Sequence, residues 1–245
     1  MKLAGCTALI TGASSGIGAS VAEALASLGV RLVLNGTDAT RLAEVTERTG
    51  GTALVADLTV PVELERVCAA ATKVDLLVTS AGRGWAGPLT EMPAPLTAEL
   101  AALNLVAPQR LAMAAVAGMS ARGRGHLVFI SSIATVGVRD EAVYAASKAG
   151  LRAFAASLRY ELVTGPVGVT TVLPGAVRTP FFDRRGRRYE RRFPRPVQPS
   201  TVAAAMLRAV ERNRAEVFVP AWLSVPARLH GVLPGVFHHL ARHFG

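Results

Sequence analysis

Along most of the chain, short runs of aliphatic and β-branched residues alternate with longer stretches whose apolar positions recur every three to four residues. The runs at 7–10, 31–34, 53–56, 76–79, 127–130, 169–173 and 217–219 predict seven strands. The stretches at 17–28, 40–49, 62–72, 96–119, 142–162 and 201–213 predict the helices between them. Strand and helix in alternation imply parallel βαβ units, and nearly unbroken apolar strands imply a sheet covered on both faces. The expected fold is therefore α/β: one doubly wound, mostly parallel seven-stranded sheet with helices on both faces. No internal repeat or Pro/Ser-rich linker divides the chain, so a single domain is expected. Residues 1–220 are expected to form its body, including a basic loop at 180–199, and 221–245 a tail. In that tail Pro220, Pro226 and Pro234 interrupt any long helix.

Composition narrows the class. With 51% hydrophobic and 18% charged residues among 245, the chain can bury a sizeable core, which excludes disorder as its main state. No run of eighteen apolar residues is free of charge, Gly or Pro, and Met1-Lys2-Leu3-Ala4-Gly5 lacks the apolar stretch of a secretory signal. A soluble cytoplasmic protein is expected. Cys6 and Cys68 show no metal-ligand spacing and read as small buried apolar groups, so no metal site is expected.

The net charge of +10 is uneven. Eight arginines between Arg178 and Arg195, against Asp183 and Glu190, supply +6 of it. That cluster reads as a solvated loop surface, as a site for an anionic group, or as a contact with an acidic membrane; nucleic acid ranks last, because no nucleic-acid module is recognisable. Four of the five histidines, His230, His238, His239 and His243, lie among apolar residues in the last sixteen positions. This amphipathic tail could cover the protein's own cleft, pack in an oligomer, or rest on a membrane surface.

Two groups of residues carry candidate chemistry. Thr11-Gly12-Ala13-Ser14-Ser15-Gly16-Ile17-Gly18 follows the first strand and opens the first helix, where main-chain N–H groups and the helix dipole can receive a pyrophosphate. Its glycine spacing is not that of the common dinucleotide fingerprint, since three residues separate the first two glycines. Tyr144 and Lys148 lie four apart on a predicted helix and so share a face, where the ammonium can favour the ionised phenol. Ser131 and Ser132 end an apolar strand, at the edge where open α/β sheets bind ligands.

With these motifs in place, the stretch from about Leu3 to Phe182 resembles the short-chain dehydrogenases/reductases in their single-domain form, a Rossmann-like family. Thr11 to Gly18 match its glycine loop, Asp57-Leu58 its adenine pair, and Ser80-Ala81-Gly82 its Asn-Ala-Gly, with Ser in place of Asn. Asn104 matches its helix asparagine, Ser131-Ser132 its strand end, Tyr144 and Lys148 its Tyr-x-x-x-Lys, and Pro174-Gly175-Ala176-Val177-Arg178-Thr179 its last motif. The resemblance implies hydride transfer between a nicotinamide cofactor and a carbonyl or alcohol carbon. Tyr144 would donate the proton, Ser132 would hold the oxygen, and Lys148 would lower the tyrosine pKa and hold the ribose. Asn104 would anchor a water leading from Lys148 to solvent, and Thr179 with the main chain near Val177 would hold the carboxamide. The resemblance also implies a homodimer or homotetramer.

Ser132 stands twelve residues before Tyr144 and Ser131 thirteen, the family's usual distance; Ser132 is chosen as the second serine of the pair, with Ser131 the alternative. For the cofactor, neither usual selector is present: Gly36 stands where an acid selects NAD and Thr37 where an Arg often selects NADP. Asp38 reads as a helix cap, and Arg41 could reach a phosphate, so NADP is taken over NAD. On the substrate side Trp85, Arg139 and Phe181, with the aliphatic residues near them, suggest an apolar or bulky carbonyl compound. Trp85 could equally be a packing residue. The competing classes are a nucleotide-binding sensor or scaffold on the same fold, and a peripheral membrane lipid- or steroid-type reductase.

Overall fold

Each apolar run becomes a strand whose successive residues enter opposite layers. The computed structural model describes residues 1–187, 189–190, 194–235, 237 and 239. Arg188, Arg191, Arg192 and Phe193 of the basic cluster, and Val236, His238, Leu240, His243 and Phe244 of the tail, lie outside the described residues. The strands are β1 (Thr7–Thr11), β2 (Arg31–Gly36), β3 (Thr52–Val55), β4 (Leu76–Thr79), β5 (Gly125–Ile130), β6 (Val167–Pro174) and β7 (Glu216–Val219). They form one sheet in the order β3-β2-β1-β4-β5-β6-β7, and every pair is parallel. The helices are α1 (Gly16–Ala26), α2 (Ala39–Thr49), α3 (Pro61–Ala71), α4 (Ala94–Ala101), α5 (Ala107–Ala121), α6 (Ala142–Glu161), the single turn α7 (Phe181–Arg184), α8 (Pro199–Glu211) and α9 (Ser224–Val232).

The two layers follow from the strand period of two. Ala8, Ile10, Leu76, Val78, Val128 and Ile130 face one side, where Val21 and Leu25 of α1, Leu42 of α2 and Met206 of α8 cover them. Leu9, Leu77, Leu127 and Phe129 face the other, under Val67 of α3, Leu111 and Met119 of α5 and Leu151 of α6. Cys6 and Cys68 are free and buried. Because β1 lies between β2 and β4, the chain reverses its direction of progress across the sheet there, and a crevice opens above the strand ends.

The stretch expected as one helix at 96–119 is interrupted. Between α4 and α5 the chain widens into a π turn, Ala102–Val106, in which the Ala107 N–H reaches the Ala102 carbonyl. Pro108 explains this. It has no N–H to give to the carbonyl of Asn104, four residues earlier, so the regular ladder cannot pass this point. Ala94–Ala121 is long and apolar enough to cross a membrane by length and composition, yet Leu100, Leu111 and Met119 from it are fully buried in the protein.

At the other end of the strands, away from the crevice, His126 of β5 is buried, with Nε2 2.8 Å from the Thr170 hydroxyl. That hydroxyl donates to the Arg214 carbonyl at 2.7 Å, so it accepts from the ring and Nε2 carries the proton. Burial pushes the imidazole pKa down to about 3.

Candidate active site

The crevice is a cavity of about 1840 Å³ that runs from the β1–α1 loop, past the ends of β4 and β5, to α7 and α9. Its floor begins at Thr11. This residue is buried, and its Oγ1 accepts the N–H groups of Ser80 and Ala81 at 3.1 Å each, binding the end of β1 to the end of β4. Gly12 has φ +65°, and a Cβ there would lie 2.8 Å from the Ala81 main chain. A Cβ on Gly18 would run into the Gly12 carbonyl, so α1 sits directly on the loop. Ser15 precedes α1 without a side-chain cap, which leaves first-turn N–H groups for an anion. Ser14, Ser15, Gly16 and Ile17 line the cavity, whereas Thr11 and Gly18, expected as cofactor contacts, lie outside its lining and shape the loop from behind.

The far end of this half is bounded by Asn35, Gly36, Thr37, Asp57 and Leu58. Asn35 is buried and donates to the carbonyls of Leu54 and Ala56 at 3.1 Å, which fastens β2 to β3. Asp57 accepts from Thr59 N and Oγ1 at 2.8 and 2.7 Å. Asp38 caps α2, accepting the Arg41 N–H at 3.0 Å. Arg41, expected on a cofactor phosphate, is not part of the lining: its Nε pairs with Asp38 at 3.2 Å. That pair is exposed and weak, so it leaves the side chain free to swing. A Cβ on Gly36 would lie 3.2 Å from Ser14 Oγ, so an acid at this position would displace Ser14.

Ser132, Tyr144 and Lys148 meet at the centre of the cavity. Ser132 follows β5 and its Oγ accepts the Ala134 N–H at 3.1 Å, which aims the hydroxyl along the cleft. Ser131 is committed elsewhere: its Oγ donates to the Lys148 carbonyl at 2.9 Å and anchors α6. Of the two serines, Ser132 is therefore the one whose hydroxyl meets the phenol. Lys148 donates from Nζ to the Ile130 carbonyl at 2.9 Å and lies 5.9 Å from the Tyr144 ring centroid. Burial pushes its pKa down to about 8. Burial also pushes the Tyr144 phenol up to about 12; the hydrogen bond with Ser132 opposes this, the Glu141 carboxylate adds to it and Arg185 opposes it. The expected lowering of the tyrosine by Lys148 is thus not found in the ligand-free chain. Desolvation of the phenol outweighs its neighbours, and the ammonium is engaged by Ile130.

Asn104 lies at the π turn and is fully buried, outside the cavity lining. Its Oδ1 accepts from Arg83 N at 2.9 Å, and its Nδ2 donates to Arg83 O at 2.9 Å and to Ser147 Oγ at 3.1 Å. Its amide thus clamps the loop after β4 to α6. The position a Cβ would take on Gly82 is 3.2 Å from Asn104 Oδ1 and 3.4 Å from Lys148 Nζ, so glycine keeps the space between these two groups open. Ala81, Gly82, Pro174, Gly175, Val177 and Thr179 all line the cavity beside them.

On the substrate side Phe181 and Arg139 line the cavity, and the Phe181 ring lies 5.5 Å from that of Tyr144. Trp85 does not line it; its ring packs where a Gly87 side chain would be, so it acts as a packing residue. The tail contributes Trp222, Leu223, Pro226 and Leu229 to the wall, residues that sequence reasoning did not single out. Three of them, Trp222, Pro226 and Leu229, stand at i, i+4 and i+7, a one-face helical spacing obscured by the prolines. Among the described residues no group of three His, Cys, Asp or Glu could hold a metal.

The family model described as short chain dehydrogenase matches residues 6–190. An uncharacterized oxidoreductase of Myxococcus xanthus is 35% identical over 244 residues, covering 93% of this chain and 92% of that one. Among solved structures, a short-chain dehydrogenase from Sphingobium yanoikuyae in complex with NADPH superposes with TM-score 0.83 at 30% identity, covering 94% of this chain and 95% of that one. A bulky-bulky ketone specific alcohol dehydrogenase from Comamonas testosteroni gives 0.78 at 29% identity, covering 94% of each chain. The chain belongs to the short-chain dehydrogenase/reductase family and is an oxidoreductase acting on an alcohol or carbonyl group.

Proposed function

We propose that the protein is an NADPH-dependent reductase of an apolar or bulky carbonyl compound. The carrying observation is the meeting of Tyr144 and Ser132 above a buried Lys148, between a glycine loop at one end of the cavity and aromatic and aliphatic walls at the other. The residues present fit a dinucleotide. Uncapped N–H groups at the start of α1 suit a pyrophosphate, and Gly12, whose side chain would strike Ala81, leaves the loop low enough for close approach. Ser14, Ser15, Gly16 and Ile17 would hold the pyrophosphate, Asp57 and Leu58 the adenine, and Thr37 the adenine-side ribose, with Arg41 swinging from Asp38 onto a 2′-phosphate. Ala81, Gly82, Pro174, Gly175, Val177 and Thr179 would hold the nicotinamide half.

When bound, the nicotinamide exchanges hydride with the substrate carbon. Proton chemistry falls to the chain. Tyr144, protonated throughout the neutral range, donates its phenolic proton to the carbonyl oxygen, and Ser132 donates a hydrogen bond to the same oxygen. The Lys148 ammonium offsets the phenolate left behind, and Asn104 acts as a positioning residue by fixing the loop after β4. Phe181, Trp222 and Leu229 supply the apolar wall for the substrate, and the similarity to the Comamonas enzyme, which is specific for bulky-bulky ketones, supports this reading. In this reading the tail residues Trp222, Leu223, Pro226 and Leu229 complete the cleft, and the protein works in the cytoplasm as a homodimer or homotetramer.

Titration with NADPH and NADH, followed by nicotinamide fluorescence, tests the cofactor. NADPH is expected to bind more tightly, and Arg41→Ala to remove the difference. Tyr144→Phe is expected to abolish reduction of a bulky ketone while leaving NADPH binding largely intact. Turnover near that of the unmodified protein would sink the mechanism.

A further inference from the structure

The segment after Thr179 is held over the active site by more than apolar contact. Phe181 of α7 packs on Tyr144 and occupies the space that a side chain on Gly84 would fill. The chain then turns Arg185 inward. Its side chain is 9% exposed, and its guanidinium pairs with Glu141, which is 14% exposed. The same guanidinium lies 4.6 Å from the Phe182 ring centroid, and its Nε donates to the Arg187 carbonyl at 3.1 Å. Beside it Arg187 pairs with Asp140 at 3.1 Å. Main-chain bonds close the arrangement: Ala86 N–H donates to the Arg185 carbonyl at 3.1 Å and Gly87 N–H to the Asp140 carbonyl at 2.8 Å. Three segments are thereby tied together beside the phenol: the loop after β4, the turn before α6, and the strap after β6.

Arg185 differs from its neighbours in the basic cluster, since it is the one buried arginine among those described. Burying two charges is costly unless the pair is well made, so this pair is weak evidence for stability and better evidence for specificity. Its place indicates what is specified. Glu141 is the residue before α6, three positions before Tyr144, and stays with that helix whether the strap is closed or open. We propose that Glu141 and Arg185 form a positioning latch for Tyr144, which holds the strap closed over the phenol and brings there two opposite charges that cancel.

The latch rests on Tyr144 being the proton donor. The groups facing the phenol are Glu141 and Lys148 from α6, Ser132 from the end of β5 and Arg185 from the strap. Glu141 makes the phenol harder to ionise and Arg185 makes it easier. Opening the strap removes Arg185 and leaves Glu141, so the tyrosine is a poorer proton donor until the cleft closes on a substrate. Neither residue touches the reacting atoms; both act through Tyr144.

The test uses the full chain with Glu141→Gln, Arg185→Gln and the double variant. At pH 7, kcat should fall furthest in Arg185→Gln, where Glu141 faces the phenol alone, and the double variant should recover to the level of Glu141→Gln, in which the open strap takes Arg185 away as well. A merely structural pair would leave the double variant no faster than Arg185→Gln, and that outcome overturns the latch. Limited trypsin digestion supplies a readout that needs no turnover. Glu141→Gln retains every arginine, and cleavage after Arg184, Arg185 and Arg187 should be several-fold faster; equal cleavage also overturns the proposal. Should that variant fail to fold, Glu141→Asp serves instead, since its shorter side chain draws the carboxylate away from Arg185 while keeping the charge. Faster cleavage than in the parent is expected there too, and an unchanged rate would count against the latch. If Tyr144→Phe turns over, the functional reading falls, and the protease comparison alone decides whether the strap is latched.

Discussion

Lys148 answers to two opposed demands. Its charge has to sit beside the phenol, yet its burial favours the neutral amine and brings its pKa down to about 8. The ammonium is present below that value and lost above it. Reductive turnover is therefore expected to fall as pH rises through about 8, well before an ordinary lysine would titrate. Lys148→Arg keeps a charge at all working pH values, and is expected to work more slowly but without that limb. A limb of unchanged position in Lys148→Arg would assign it to another group. Tyr144 and Lys148 were legible because four residues on a helix make one face. The choice between Ser131 and Ser132 was not, since spacing favoured one and pairing the other. It depends on where each hydroxyl points, and Ser131 is spent on the Lys148 carbonyl.

Among the elements, the strands and the helices α1, α2, α3, α6 and α8 follow the apolar pattern to within a residue or two. The π turn at 102–106 does not, because periodicity records which residues are apolar and not how the ladder is bonded. Pro108 was its signal. The turn places Asn104 where it grips Arg83 and Ser147. Pro108→Ala restores the missing N–H and with it the regular ladder that proline interrupts. The variant should unfold no more easily than the parent, while its turnover drops because Asn104 rotates off the loop. Full activity with an ordinary melting temperature would show that the widened turn is not needed. The cofactor loop offers the contrast: Thr11 and Gly18 were recognised with the right motif, but they support the loop and do not line it.

For the whole molecule, the buried imidazole of His126 sets an acid limit. Its folded pKa, about 3, lies below the unfolded 6.5, so its contribution is complete above 6.5 and is lost as pH falls toward 3. Each unit within that window costs up to about 1.4 kcal/mol. Urea unfolding at about pH 7 and about pH 5 should show a loss of up to about 2 kcal/mol, smaller in His126→Gln. Equal losses in both proteins would place the acid sensitivity elsewhere. Covering of the cleft was one of three placements the sequence left open for the tail; that Trp222, Leu223, Pro226 and Leu229 form the wall was hidden, because prolines that break a helix say nothing of where the broken pieces pack.

The strand order also has a consequence for biosynthesis. As the chain leaves the ribosome, β1, β2 and β3 can pair at once, but β1 lacks its second neighbour until Leu76–Thr79 has been made. Meanwhile the apolar edge Thr7–Thr11 stands unpaired, a template for any other extended chain. The Thr11 hydroxyl, which receives Ser80 and Ala81, is the last stitch of that seam. A nascent chain paused before residue 76 should therefore be the form that most needs a chaperone.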